Sequence, residues 1–193
     1  MVGFLHDQKD NVHFYQVNWP ENTVQLGVLP KNLWVDQGHT SNGVAGYGFF
    51  LGLFGMFVAF RQRKRAMGGR SKTLLALVVL LFLAVLFTLS ALIFVFLVTN
   101  QTKGQHISEA IAGSSANYPA NRWTPETWFK AVLELPLADN KQRDKIDSNV
   151  TNMEAWRWML IPIFLTDIAC FSIALLDHFK QKRGVQSEFT MEK

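Results

Sequence analysis

An all-α integral membrane protein, a helical bundle of three transmembrane helices with a long structured outer loop, is the fold class this sequence predicts. Three observations predict it. Apolar residues gather in three blocks, 43–60, 73–99 and 156–179, each at or above the roughly 18 residues that cross a hydrocarbon core. Arg61, Arg63, Lys64, Arg65, Arg70 and Lys72 stand between the first two blocks with no acid among them, and Lys180, Lys182 and Arg183 follow the third. The polar remainder is too short and too divided for a large soluble domain.

Average composition hides this segregation. The chain has 193 residues, 49% of them hydrophobic, with 16 Phe and 6 Trp, and its mean hydropathy is +0.08. Those values suit an ordinary soluble domain. The net charge of +4 suggests a nucleic-acid partner only until its placement is read. Basic residues beside apolar spans report orientation, and no nucleic acid is expected. Cys170 is the single cysteine, so no intrachain disulfide and no cysteine-based metal site is available. Residues 1–10 carry acid and no apolar run, unlike a signal or transit peptide. The first apolar block is expected to target the chain to the membrane.

Residues 1–42 form a non-cytoplasmic N-terminal segment, polar with scattered aromatics. Pro20, Pro30 and Gly38 are expected to break any long helix, Val24 to Leu29 reads as a short strand, and some of Phe4, Phe14, Tyr15, Trp19 and Trp34 are expected in the interfacial belt. The first span, 43–60, is glycine-rich. Gly48, Gly52, Gly55 and Ala59 recur at spacings of four, three and four, which places them on one helical face that admits a close neighbour. That neighbour is either another helix of this chain or a partner protein. The basic loop 61–72 follows, then the second span, 73–99, long enough to tilt. Thr88 and Ser90 are its only polar interior residues, and each has its own helix carbonyl within reach.

Residues 100–155 form a non-cytoplasmic loop of nearly balanced charge. Within it a short helix is expected near Trp123, capped by Thr124, with Pro125 at its first position and Pro136 bounding its end. Trp128, Val132 and Leu135 share one face, with Phe129 and Leu133 beside it, expected to rest on the bilayer surface or to cover the tops of the spans, and Trp123, Trp128, Phe129 and Val132 are the expected outer-loop contacts. Ile146, Val150 and Met153 recur at helical spacing toward Trp156, so the third helix begins well before the third span, 156–179. Residues 180–193 are the cytoplasmic tail.

Orientation follows from charge. The basic segments 61–72 and 180–193 belong in the cytoplasm. The 100–155 loop, on the other side, carries both glycosylation sequons, at Asn149 and at Asn100. Asn149 is the better acceptor because Asn100 lies against the span. A plasma or secretory-pathway membrane fits better than a mitochondrial one.

The most informative residue is Asp167, near the middle of the third span. A carboxylate at the bilayer centre costs roughly 2.5–3.5 kcal/mol on insertion scales, so such a residue faces protein or water. It is either a neutral acid bonded to a neighbouring helix or a proton or cation site. Tyr47, Thr88 and Thr166 are the candidate bonding partners. Pro162 frees a carbonyl in the same helix. His6, His13, His39, His106 and His178 contain no pair at metal-ligand spacing, and no phosphate loop, dinucleotide fingerprint or nucleophile elbow is present. No catalytic, cofactor-binding or metal-binding residue is therefore assigned, and no cofactor is expected.

Trp19, then Asn32-Leu33-Trp34, then a glycine-rich span, a basic loop, a long span, an outer loop and a final span form an order that resembles the claudin and fungal Sur7/PalI-like tetraspan superfamily from its first outer loop onward. Those proteins carry a Trp followed by a Gly-Leu-Trp-like motif in that loop. This chain departs from the pattern in lacking the first span and the cysteine pair that follows the motif. The resemblance implies a role in membrane organisation or as an accessory to a larger complex, and transfers no functional residue. The expected function is a non-enzymatic accessory or organising subunit, acting through helix packing and its outer loop. Its partners are membrane lipid and other membrane protein subunits, with a homo-oligomer as a further form. The alternatives are a small transporter or channel subunit using Asp167 and a non-catalytic subunit of a membrane enzyme.

Overall fold

The structure is a computed structural model describing residues 2–63, 72–109, 112 and 122–191. Lys64, Arg65 and Arg70 of the basic loop lie outside the described residues. The chain divides into two compact units, Met1–His39 with Phe94–Trp158 and Thr40–Ile93 with Met159–Lys193. The first is a hairpin unit and the second a helical unit.

The hairpin unit opens with α1 (Val2–Asp7) and a wider π turn, Gln8–Val12. His13 ends that turn at φ 63°, a backbone conformation rare outside glycine. Strands β1 (Phe14–Asn18) and β2 (Thr23–Gly27) then pair antiparallel, with Phe14 opposite Gly27 and Asn18 opposite Thr23. Tyr15 and Val17 point inward while Phe14, Gln16 and Asn18 face out, as the period of two demands. The expected strand at Val24 to Leu29 is thus present as β2, and the all-α expectation is modified by one two-stranded sheet.

The free edge of β1 is paired by a distant segment. Asn18 N donates to Pro136 O and Ala138 N to Gln16 O, each at 2.9 Å. Just before that segment lies α4 (Pro125–Leu133), capped as its sequence indicates: Thr124 Oγ1 accepts from Thr127 N, and Pro125 opens the helix. Trp128 Nε1 donates to Val28 O at 2.9 Å, and Trp34 N to Trp123 O at 2.8 Å. These bonds satisfy polar groups that burial would otherwise leave costly.

Trp123, Trp128, Phe129 and Val132 are consequently the centre of a core, at 1, 1, 0 and 0% exposure, and not a face offered to a partner or to the membrane surface. The reason lies in the N-terminal segment. Phe4, Tyr15, Val17 and Leu26 cover one side of the cluster, and Ile146, Val150 and Met153 cover another. Phe4 and Tyr15 are therefore core residues instead of interfacial ones, whereas Phe14 stays exposed. Truncating Phe129 or Trp128 to Ala would cost about 3–5 kcal/mol.

The helical unit draws on α2 (Asp36–Arg63), α3 (Lys72–Gln101) and α5 (Asn140–Met191). All three are long and apolar enough to cross a membrane. Gly38 lies inside α2 and does not break it. The segment 184–191, expected as a tail, continues α5 as helix. Leu51 and Val58 of α2 pack with Leu74, Leu77, Leu81 and Ala84 of α3 and Ala174 of α5. Phe49, Phe50, Phe60, Leu165 and Ile173 of these helices are exposed. Trp156 and Trp158, the expected markers of the outer interface, are exposed as well.

Candidate functional site

Within the helical unit α2 and α5 enclose an open groove of about 580 Å³. Its α2 wall is the small-residue face, Gly48, Gly52, Gly55 and Ala59, and its α5 wall carries Asp167, Cys170 and Ala174. Among the described residues no other helix fills the glycine face. A Cβ added at Gly48 or Gly52 would meet nothing within 4 Å, and one at Gly55 only Leu77 Cδ1 at 3.9 Å. The tight contacts of the unit lie instead on the Leu51 and Val58 side of α2, toward α3. Three glycine positions have thus given up side-chain volume without gaining a close backbone contact among the described residues.

Among the described residues Asp167 has one hydrogen-bond partner. Thr88 Oγ1 on α3 donates to Asp167 Oδ2 at 2.6 Å, and Thr88 is 2% exposed. The other two candidates are engaged elsewhere: Tyr47 Oη donates to Leu80 O at 3.0 Å, and Thr166 Oγ1 to Pro162 O at 2.8 Å. Thr166 thus takes the intrahelical bond one turn back, whereas the carbonyl that Pro162 frees is that of Trp158. Ser90 takes the intrahelical option, bonding Leu86 O at 2.8 Å, but Thr88 does not. Of the three candidate partners of Asp167, Thr88 is the one that bonds it. At one end of the groove Gln181 Nε2 donates to Gln62 Oε1 at 3.1 Å.

Both sequon asparagines lie on helices, Asn100 in the last turn of α3 and Asn149 within α5. Asn149 Nδ2 donates to Lys145 O at 2.8 Å. Neither sits in the surface loop that acceptors prefer. In the hairpin unit His6, His13 and His39 line a cavity of about 1090 Å³, and among the described residues no three His, Cys, Asp or Glu side chains come together to hold a metal ion.

The fold and groove define a mostly helical protein with three membrane-length helices, a compact hairpin unit, and an open small-residue groove with a carboxyl group in its wall. No protein family, curated protein or solved structure matches the chain.

Proposed function

We propose that this chain is a non-enzymatic, multi-span membrane protein that serves as an accessory or organising subunit, receiving an apolar helix of a partner membrane protein in the groove between α2 and α5. The observation that carries the reading is the open glycine face. Glycine in a helix interior costs about 1 kcal/mol relative to alanine, and here that cost has no return among the described residues. A helix backbone approaching the face would supply the close packing that drives association in lipid. Asp167 adds specificity. One carboxyl oxygen is held by Thr88, and a hydrogen-bond donor on the incoming helix would serve the other.

In this reading the N-terminal segment and residues 100–155 lie outside, while the basic segments 61–72 and 180–193 stay in the cytoplasm. The membrane is the plasma membrane or one of the secretory pathway. The order of segments resembles claudin-like tetraspan proteins, which agrees with a role in membrane organisation. The same groove supports a second reading, a transporter or channel subunit in which Asp167 carries protons or cations.

Purification in mild detergent, with identification of co-purifying chains, tests the proposal. Gly52→Leu is expected to lose the partner and Leu53→Ala, on an exposed position, to keep it. Asp167→Asn is expected to preserve assembly, and Asp167→Leu to weaken it by roughly 0.6–1.7 kcal/mol. Equal tolerance of Gly52→Leu and Leu53→Ala removes the packing argument. Intact assembly with lost cellular function in Asp167→Asn replaces the scaffold reading with the transport one. A partner that is itself an enzyme makes this chain its non-catalytic subunit, and a second copy of the chain makes it a homo-oligomer.

A further inference from the structure

A second site lies in the hairpin unit, where the last turns of α3 meet α4 and the part of α5 just before its apolar stretch. A cavity of about 690 Å³ opens there, within the roughly 300–1,000 Å³ of small-molecule sites. Its floor is a charged network. Glu126, 4% exposed, accepts from Arg157 Nη1 at 2.6 Å and from Lys130 Nζ at 3.0 Å, and Lys130 also pairs with Glu154. The Arg157 guanidinium lies 5.8 Å from the ring centres of both Phe96 and Trp158.

Three features of the cavity are not used by this network. Arg157 Nε is buried without a hydrogen-bond partner. Thr99, only 8% exposed, has an Oγ1 with no partner either, although a helical threonine ordinarily bonds a carbonyl one turn back. Lys103 lines the cavity and has no acidic partner among the described residues. All three are donors, and a phosphate accepts from such a set. The lining cations Lys103, Lys130 and Arg157 are balanced by Glu126, Glu134 and Glu154, so the site favours a ligand that carries both signs. Its height is that of the aromatic belt, at the end of one apolar stretch and the start of the next.

We infer that this cavity binds the headgroup of a zwitterionic phospholipid, its phosphate toward Arg157, Lys103 and Thr99 and its ammonium toward Glu134 and Glu154. The inference rests on the reading of α3 and α5 as membrane-spanning helices. It assigns the hairpin unit a lipid partner, distinct from the helix partner of the groove.

The test uses the full chain reconstituted in phosphatidylcholine vesicles that contain a trace of phosphatidylcholine photoreactive near its headgroup. Crosslinks are expected to concentrate in residues 96–105 and 154–158. A Thr99→Val, Lys103→Gln double variant, which leaves the Glu126 network intact, is expected to lower them about tenfold. Crosslinks spread evenly along the apolar stretches, or unchanged in the double variant, overturn the site. Equal labelling by a phosphatidylglycerol probe overturns the zwitterionic class. Displacement by millimolar glycerophosphocholine or inorganic phosphate as effective as by lipid makes the ligand a soluble phosphate and overturns the lipid source. Flotation separates the two readings: a chain that fails to float with vesicles overturns the membrane reading as well, whereas one that floats without site-specific labelling overturns this inference alone.

Discussion

Replacing Glu126 by Gln isolates the electrostatics of the hairpin unit. The change keeps size and shape and removes one negative charge at 4% exposure. Its two partners then fare differently. The Arg157 side chain is 13% exposed and has no other acid among the described residues, so it becomes a buried, uncompensated cation. Breaking such a pair costs about 3–5 kcal/mol. Lys130 is 41% exposed and keeps Glu154, so its own loss is within the ~0–1 kcal/mol of exposed pairs. Burial pulls the Lys130 ammonium down, but its bonds to Glu154 and Glu126 outweigh that and hold it above its ordinary value. Glu126→Gln is therefore expected to cost about 3 kcal/mol, and Lys130→Met less than about 1. Urea unfolding of the detergent-solubilised chain, followed through tryptophan emission, measures both. In a domain of roughly 60–100 residues each kcal/mol is also about 4–8 °C in Tm. Equal costs for the two variants, or a cost below about 1 kcal/mol for Glu126→Gln, would falsify the assignment of Arg157 as the dependent partner.

Tyr15→Phe removes the hydroxyl that donates to Gln8 Oε1 at 2.5 Å; because Gln8 is fully buried, a loss of about 1–3 kcal/mol is expected in the same unfolding assay. His13→Gly relieves the positive φ at an exposed position and should stabilise the unit by about 1 kcal/mol; a destabilisation on denaturant titration would show that His13 makes a contact worth more than its strain. The Lys145 ammonium bonded to Asp7 at 2.5 Å holds that carboxyl below its ordinary 3.8. Its contribution is thus complete above pH 3.8 and lost as pH falls through the lowered value, so Asp7→Asn should narrow the stability difference between pH 5 and pH 2, and an unchanged difference counts against the pair.

The long helices were legible because apolar runs of this length have few other uses, and α4 was legible in Thr124-Pro125, whose cap chemistry is local. The core around Trp128 was not. Its partners Phe4, Tyr15 and Leu26 lie far away in sequence, within a segment whose aromatics look scattered until the β1–β2 register sorts them into two faces. Strand β2 could be read from Val24 to Leu29, but β1 could not, since the adjacent Phe14 and Tyr15 place an aromatic on each face and leave no clear apolar-polar alternation. In the groove, the glycine spacing and Asp167 were visible in sequence. That the face is open depends on which side of α2 meets α3, and the selection of Thr88 among three candidates depends on how α3 faces α5. No single helix encodes that choice. The Arg157–Glu126 pair was not legible because a lone acid in the balanced loop and a lone base at the start of the third apolar block share no spacing signal.

The hydrogen bonds from Trp34 to Trp123 and from β1 to Pro136 and Ala138 have a consequence for biogenesis. Residues 1–39 cannot complete their fold until residues near 138 have been made. At about 5–20 residues per second of synthesis, that interval is roughly 5–20 s. Throughout it the apolar side chains of Phe4, Tyr15, Val17 and Leu26 lack the α4 surface that covers them, and β1 presents an unpaired edge of the kind that recruits other strands. Newly made chain is therefore most vulnerable to aggregation at its N-terminal segment, before α4 arrives. A chaperone that holds such segments would act within this window, and a translation pause placed after Ala138 would come too late to help.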